Sequence, residues 1–311
     1  MTRLSIALTT RGTPSQLHST LYKLLPLLKS AEVELVIVAQ GESASYWEQN
    51  ARGAKVVRLG MTSVWEARNA AIGSSRGEHI LVFDDDAEFF DDASIAVMMD
   101  VLRQGASTDV HIFNRGFTLT DGAYVSYNQA SSGGLCELVS VLPKTTAWNV
   151  AYPRLLLLRI GSTPPIGVGS LHACQSGEDF LLIRRLLSQL DIGRIRYHPE
   201  VRITHPCFHG RTNKPLWLCL GYQYGAAYAK LTTRYAASTW VEILIGVVRV
   251  SMGALKITCG LSSSLNPRGN GRGAMLSHRI LPARVRLTGM MDAVAGRRPR
   301  RIEFIKKLAS S

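Results

Sequence analysis

Paired cysteines are missing from this chain. Its five cysteines, Cys136, Cys174, Cys207, Cys219 and Cys259, form no CxxC pair. That excludes the usual zinc spacing and a disulfide framework, and it fits a reducing, cytoplasmic compartment. The N-terminal residues MTRLSIALTTRG lack an apolar stretch long enough for a signal peptide and run straight into a strand-like pattern. A Walker-type phosphate loop is absent, and so is a GxGxxG after the first strand, which removes the commonest nucleotide-binding alternatives. No serine sits in a nucleophile-elbow context, and no internal repeat is found. Acidic residues are scarce, 23 Asp and Glu against 36 Lys and Arg, for a net charge of +13. The shortage is local: residues 249–311 hold thirteen Lys and Arg against two Asp and Glu, which is +11 of that +13 and leaves the first 248 residues at +2. A near-neutral body with a basic tail points the tail towards an anionic surface, membrane lipid or nucleic acid.

What is present is an alternation of strand and helix signals. With 311 residues and 46% hydrophobic content, the chain suffices for one large α/β domain or two smaller ones. Residues 4–9, 34–39, 55–59, 80–83 and 110–113 read as strands. Helix-length segments separate most of them: one starting at Thr13-Pro14 with a conflict at Pro26, one over 63–74 ended by Gly77, and one over 93–103. This order predicts βαβ units in a mostly parallel sheet, whose ligands bind beyond the carboxyl ends of the strands.

At one such end stand Asp84, Asp85 and Asp86, directly after the apolar run 80–83. Three adjacent carboxylates repel one another, and each costs energy to desolvate without a counter-charge. Two readings fit these residues alone. One is an acidic turn or helix cap. The other is a hard divalent cation, which takes carboxylate oxygens and leaves room for substrate phosphates. The strand-end position favours the second. Further on, residues 179–190 have helical apolar spacing, so Glu178 and Asp179 fall at a helix N-terminus, where capping is the plain alternative to chemistry. Residues 197–205 read as a turn followed by a short strand. Of the histidines, His18, His79, His111, His172, His198, His209 and His278 show no ligand spacing and read mostly as surface or packing residues.

The ordered set Ala67-Arg68-Asn69-Ala70-Ala71-Ile72, Arg76-Gly77-Glu78-His79-Ile80 and Phe83-Asp84-Asp85-Asp86-Ala87-Glu88 resembles the nucleotide-sugar half of family 2 glycosyltransferases with the GT-A fold. Gly167-Val168-Gly169, Ser176-Gly177-Glu178-Asp179-Phe180, Tyr197-His198-Pro199 and Ile203-Thr204-His205-Pro206 resemble the acceptor half, in the same order. The resemblance covers roughly residues 2–215. It implies a GT-A catalytic domain over 1–215, with a nucleotide-sugar half over about 1–113 and an acceptor half over 114–215, followed by a helical, basic region over 216–311. It also implies an inverting, metal-dependent glycosyltransferase. In that family's scheme Asp84 contacts the ribose or base side of the donor, Asp86 ligates Mg2+ or Mn2+ at the diphosphate, and Asp85 assists either. Asp179 matches the catalytic base, with Glu178 beside it, and His205 matches a position near the metal or diphosphate. Thr9, Thr10 and Arg11 end the first strand where the family grips base and ribose, and Arg68, followed by Asn69, lies on the helix before the aspartates. The family's Asp after the second strand is absent here. Gln40 stands there instead, and its amide offers a donor and an acceptor to a pyrimidine edge. The implied partners are a UDP- or dTDP-sugar and a glycan or lipid-linked acceptor, in surface polysaccharide or glycoconjugate synthesis. Nucleic acid is disfavoured.

In the tail, residues 240–256 are apolar except for a stripe of Glu242, Gly246, Arg249, Gly253 and Lys256 at helical spacing. Such a helix either packs on the catalytic domain or lies in a membrane interface. The cluster Arg297-Arg298-Pro299-Arg300-Arg301 with Lys306-Lys307 favours the interface, and with it peripheral attachment to the cytoplasmic face. A competing reading is a catalytically degenerate GT-A domain that binds through a basic arm. The intact aspartate triplet and the Glu178-Asp179 pair stand against it.

Overall fold

A computed structural model describes residues 2–11, 22, 24–119, 121–126, 146–160, 182, 189 and 194–205. The helix expected from Thr13, the Glu178-Asp179 pair and everything from residue 206 onward lie outside the described residues. All described residues fall in one compact unit, Met1–Pro165 with Asp179–His209.

The apolar runs form the expected strands. Strands β1 (Leu4–Thr10), β2 (Val33–Gln40), β3 (Lys55–Leu59) and β4 (His79–Asp84) assemble in the order β3-β2-β1-β4, all parallel. The inner three are almost wholly buried, so they read as continuous Val, Leu and Ile rather than as an alternating pattern. Beyond β4 the order continues β8-β6-β9-β5, with β7 on β6, giving nine strands among the described residues. These are β5 (Glu88–Phe89), β6 (Val110–Thr118), β7 (Tyr124–Ser126), β8 (Val150–Pro153) and β9 (Ile195–Thr204). The long β6–β9 ladder is parallel, while the short contacts of β8, β7 and β5 are antiparallel.

Helix α1 (Ser43–Asn50) was not legible in the pattern, because its sequence SASYWEQN is largely polar and only Ser43, Ala44 and Trp47 are buried. Helix α2 (Val64–Ser74) starts on a capping box. Ser63 Oγ accepts from the Glu66 N–H at 3.4 Å, and the Ser63 N–H donates to Glu66 Oε2 at 3.0 Å. Helix α3 (Asp92–Gln104) is capped by Asp91, which accepts from the Ser94 N–H at 2.8 Å. Pro26 lies in a short 3-10 turn, Leu25–Lys29, where its missing N–H is harmless. Helix α4 (Arg154–Ile160) follows β8 directly. Among the described residues no helix is long and apolar enough to cross a membrane.

Strand β9 departs from expectation. The turn and short strand predicted over 197–205 are one ten-residue strand running through Pro199. The ladder makes this possible by slipping: Phe113 pairs with His198, but Asn114 pairs with Arg202. Pro199, which cannot donate, falls inside that bulge, and Asn114 Nδ2 donates to its carbonyl at 3.0 Å. Beside the bulge, three histidines meet. His111 Nδ1 lies 3.0 Å from His198 Nε2, and the His79 ring stands edge-on to His111 at 5.1 Å. Burial, with the neighbouring histidines adding repulsion, holds His111 down to about 3.

Candidate metal and donor site

The sheet order reverses direction of growth at β1 and β4, and the carboxyl ends of these strands carry the aspartates. Thr9 lies level with Asp84 in the β1–β4 ladder. The chain turns at once after β4, with the Ala87 N–H donating to the Asp84 carbonyl at 3.1 Å. It then enters β5, which pairs antiparallel with β9 in the register Glu88↔Thr204 and Phe89↔Ile203. That register accounts for the site. It sets the residue after Thr204 beside the residues before Glu88, so His205 arrives next to Asp86 although 119 positions separate them. The His205 N–H donates to the Gly116 carbonyl at 3.1 Å, which anchors its backbone to β6.

The outcome is a compact donor set. One ligand atom from each of Asp84, Asp86 and His205 lies within 4.8 Å of the others. His205 Nε2 is 2.9 Å from Asp86 Oδ1. Asp86 is the exposed member, and Asp84 and His205 are half-buried. Trp148 stacks on the His205 ring at 5.1 Å and 18° and so fixes its plane. Trp148 is held in turn by the 3-10 turn Ala147–Asn149, where Asn149 Nδ2 donates to the Phe113 carbonyl at 2.8 Å. Residues 114–148 show little periodicity, so nothing in the sequence singled this tryptophan out.

The remaining expected donor residues surround this set. Arg68, buried on α2, donates from Nη2 to Asp84 Oδ1 at 3.1 Å. It is therefore a fixed counter-charge rather than a surface arginine, and a charge-assisted bond from a buried guanidinium to a half-buried carboxylate holds the aspartate in one orientation. Thr10 Oγ1 donates to Asp85 Oδ2 at 2.6 Å. Burial pushes the Asp85 carboxyl up, the Asp86 and Asp84 charges push the same way, and the Thr10 hydroxyl opposes them. Gln40 is buried at the end of β2, and its Oε1 accepts from Arg11 Nε and from the Thr62 N–H, each at 3.0 Å. Its acceptor is thus engaged within the protein, and the Nε2 donor is the part left for a ligand. Asn69 is half-buried on α2, next to Arg68. Thr9, Thr10, Arg11, Gln40, Arg68, Asp84, Asp85, Asp86 and His205 therefore gather at one edge of the sheet. Glu178 and Asp179 lie outside the described residues.

The donor set fits a divalent cation. Two carboxylates suit Mg2+ or Mn2+, and the imidazole tilts the choice towards the transition ion.

No family model and no curated protein matches the chain. Solved structures do. A mycobacterial protein aligns with 75% of this chain and 74% of its own at 17% identity, with a TM-score of 0.49. S. aureus TarS in complex with UDP-GlcNAc aligns with 96% and 93% at 12% identity, with a TM-score of 0.48. A longer S. aureus TarS chain aligns over 94% of this chain and 55% of its own, at 12% identity and a TM-score of 0.50. Identities this low speak to fold alone, and the fold is the GT-A fold whose motifs the sequence resembles.

Proposed function

We propose that this protein is an inverting, metal-dependent glycosyltransferase. It moves a sugar from a nucleotide-sugar donor to a hydroxyl of a glycan or lipid-linked acceptor, in surface polysaccharide or glycoconjugate synthesis. The observation that carries this reading is the convergence of Asp84, Asp86 and His205 at the carboxyl end of β4. In this reading these three residues hold Mn2+ or Mg2+, which when bound supplies Lewis-acid stabilisation to the departing diphosphate. Arg68 keeps Asp84 oriented. Thr9, Thr10, Arg11 and the Nε2 of Gln40 line the base and ribose side. Asp179, supported by Glu178, takes the acceptor hydroxyl proton as that oxygen attacks the anomeric carbon. One in-line displacement inverts the configuration and requires no covalent intermediate. The basic tail, Arg297 to Lys307, holds the enzyme peripherally at an anionic cytoplasmic membrane face, close to a lipid-linked acceptor.

The test is donor turnover by the full chain with a panel of UDP-, dTDP- and GDP-sugars, in Mn2+ and in EDTA. UDP-GlcNAc is the first donor to try. Release of nucleoside diphosphate that needs the metal and is abolished in Asp179→Asn supports the proposal. Turnover equal in wild type and Asp179→Asn removes the assigned base.

A further inference from the structure

At the other end of β4 from the aspartates lies a cavity of about 410 Å3. Gly77 and Glu78 precede β4, Thr108 lies just before β6, and Arg194 precedes β9, so the cavity opens at the amino ends of three strands. Strand β8 runs antiparallel to β4 and therefore delivers Pro153 and the start of α4 to the same wall.

Its charge is one-sided. Among the described residues that line it, Arg76, Arg154, Arg159 and Arg194 stand against the single carboxylate of Glu78. Glu78 is already paired with Arg3 at 3.6 Å, and Arg76 with Glu34 at 3.4 Å. Arg154 Nε donates to the Ser75 carbonyl at 2.8 Å, which leaves the rest of its guanidinium for other partners. Among the described residues no carboxylate lies within ion-pair distance of Arg154, Arg159 or Arg194. Three uncompensated guanidinium groups around one concavity repel each other, and an anion between them relieves that repulsion. Part of the lining is apolar. Leu155 on α4, 75% exposed, and Pro153 belong to the same lining.

We propose that this cavity binds the phosphoryl group of a phosphate ester with an apolar body. Planar guanidinium forks match phosphate oxygens in pairs, and several forks around one site select a phosphoryl group over a lone carboxylate. The volume lies in the range of about 300–1,000 Å3 typical of small-molecule sites. It exceeds what an inorganic oxyanion fills and leaves space for an organic portion against Leu155 and Pro153. Two sources share this chemistry, a lipid headgroup at a membrane surface and a soluble phosphate ester.

Calorimetric titration of the full chain separates them. The experiment uses dihexanoylphosphatidate and glycerol 3-phosphate in EDTA, where the metal-free aspartate cluster repels phosphates. The proposal expects saturable binding that weakens by about tenfold or more in Arg159→Gln/Arg194→Gln, for the loss of two charge-assisted contacts. Both arginines are exposed and hold no carboxylate, so the double variant keeps its fold. Binding in Asp86→Ala stays at the wild-type level. Preference for dihexanoylphosphatidate assigns a lipid headgroup, and glycerol 3-phosphate binding as tightly or more tightly assigns a soluble ester and removes the apolar body from the proposal. Absence of binding, or undiminished binding by the double arginine variant, overturns the proposal. Loss of binding in Asp86→Ala overturns it too, since the ligand would then occupy the donor site.

Discussion

Asp84 and Asp86 are two positions apart and answer to different physics. Asp84 is tied to the buried Arg68, so its carboxylate serves the fold as well as the site. Removing it leaves a guanidinium with little access to water. Asp84→Asn is expected to cost about 3 kcal/mol, the lower end for breaking a buried pair because Asp84 is partly exposed. Asp86 is exposed, and Asp86→Ala is expected to leave stability within about 0.5 kcal/mol. Urea denaturation of both variants measures the difference. The adjacency of the three aspartates was plain in the sequence, but this division of roles was not. It depends on which carboxylate faces α2, and that is set by the turn after β4. Gln40 shows the same limit. Its presence in place of an aspartate is read directly, whereas the engagement of its acceptor by Arg11 and Thr62 becomes visible only when β1, β2 and α2 are brought together.

The central strands and helices α2 and α3 were readable because local signals agree: continuous apolar runs, a capping box at Ser63 and a cap at Asp91. Helix α1 escaped because its buried stripe is little more than Ala44 and Trp47. The β9 bulge escaped because a proline within a run normally ends a strand, and only the partner's slip at Phe113/Asn114 shows how it is accommodated. The histidine group beside the bulge has a consequence for pH. His111 is 1% exposed and sits at about 3, below its unfolded value of 6.5. Its Nε2 and the Nδ1 of His79 meet no acceptor among the described residues, so a charged ring has nothing to bond there. A depressed base favours the folded state above its unfolded pKa, and that stability is lost as pH falls from 6.5 towards 3. At pH 5 the loss from His111 is about 2 kcal/mol. Denaturation midpoints at pH 7 and pH 5 are expected to differ less in His111→Leu than in wild type. An equal drop in both would show that His111 does not carry the effect.

For the whole molecule, chain order proved more informative than any single motif. The aspartates and His205 are far apart in sequence; the βαβ alternation put the aspartates at the carboxyl edge of the sheet, and the family resemblance alone brought His205 to them. What the sequence left open was the β5–β9 register that joins them, since β5 is only Glu88 and Phe89. Charge distribution also acts at this scale. If the basic tail holds the protein to anionic lipid, Arg297→Glu/Arg298→Glu/Arg300→Glu/Arg301→Glu is expected to lose most flotation with phosphatidylglycerol vesicles. Each reversed arginine removes about 1 kcal/mol or more. Undiminished flotation of that variant would assign attachment elsewhere. The most direct test of the central claim is an electron paramagnetic resonance titration of the full chain with Mn2+. The account predicts one saturable site in wild type, weakened by about 100-fold or more in Asp86→Ala and weakened also in His205→Ala, with metal-dependent donor turnover falling in parallel. Equal Mn2+ affinity in wild type and Asp86→Ala would contradict it.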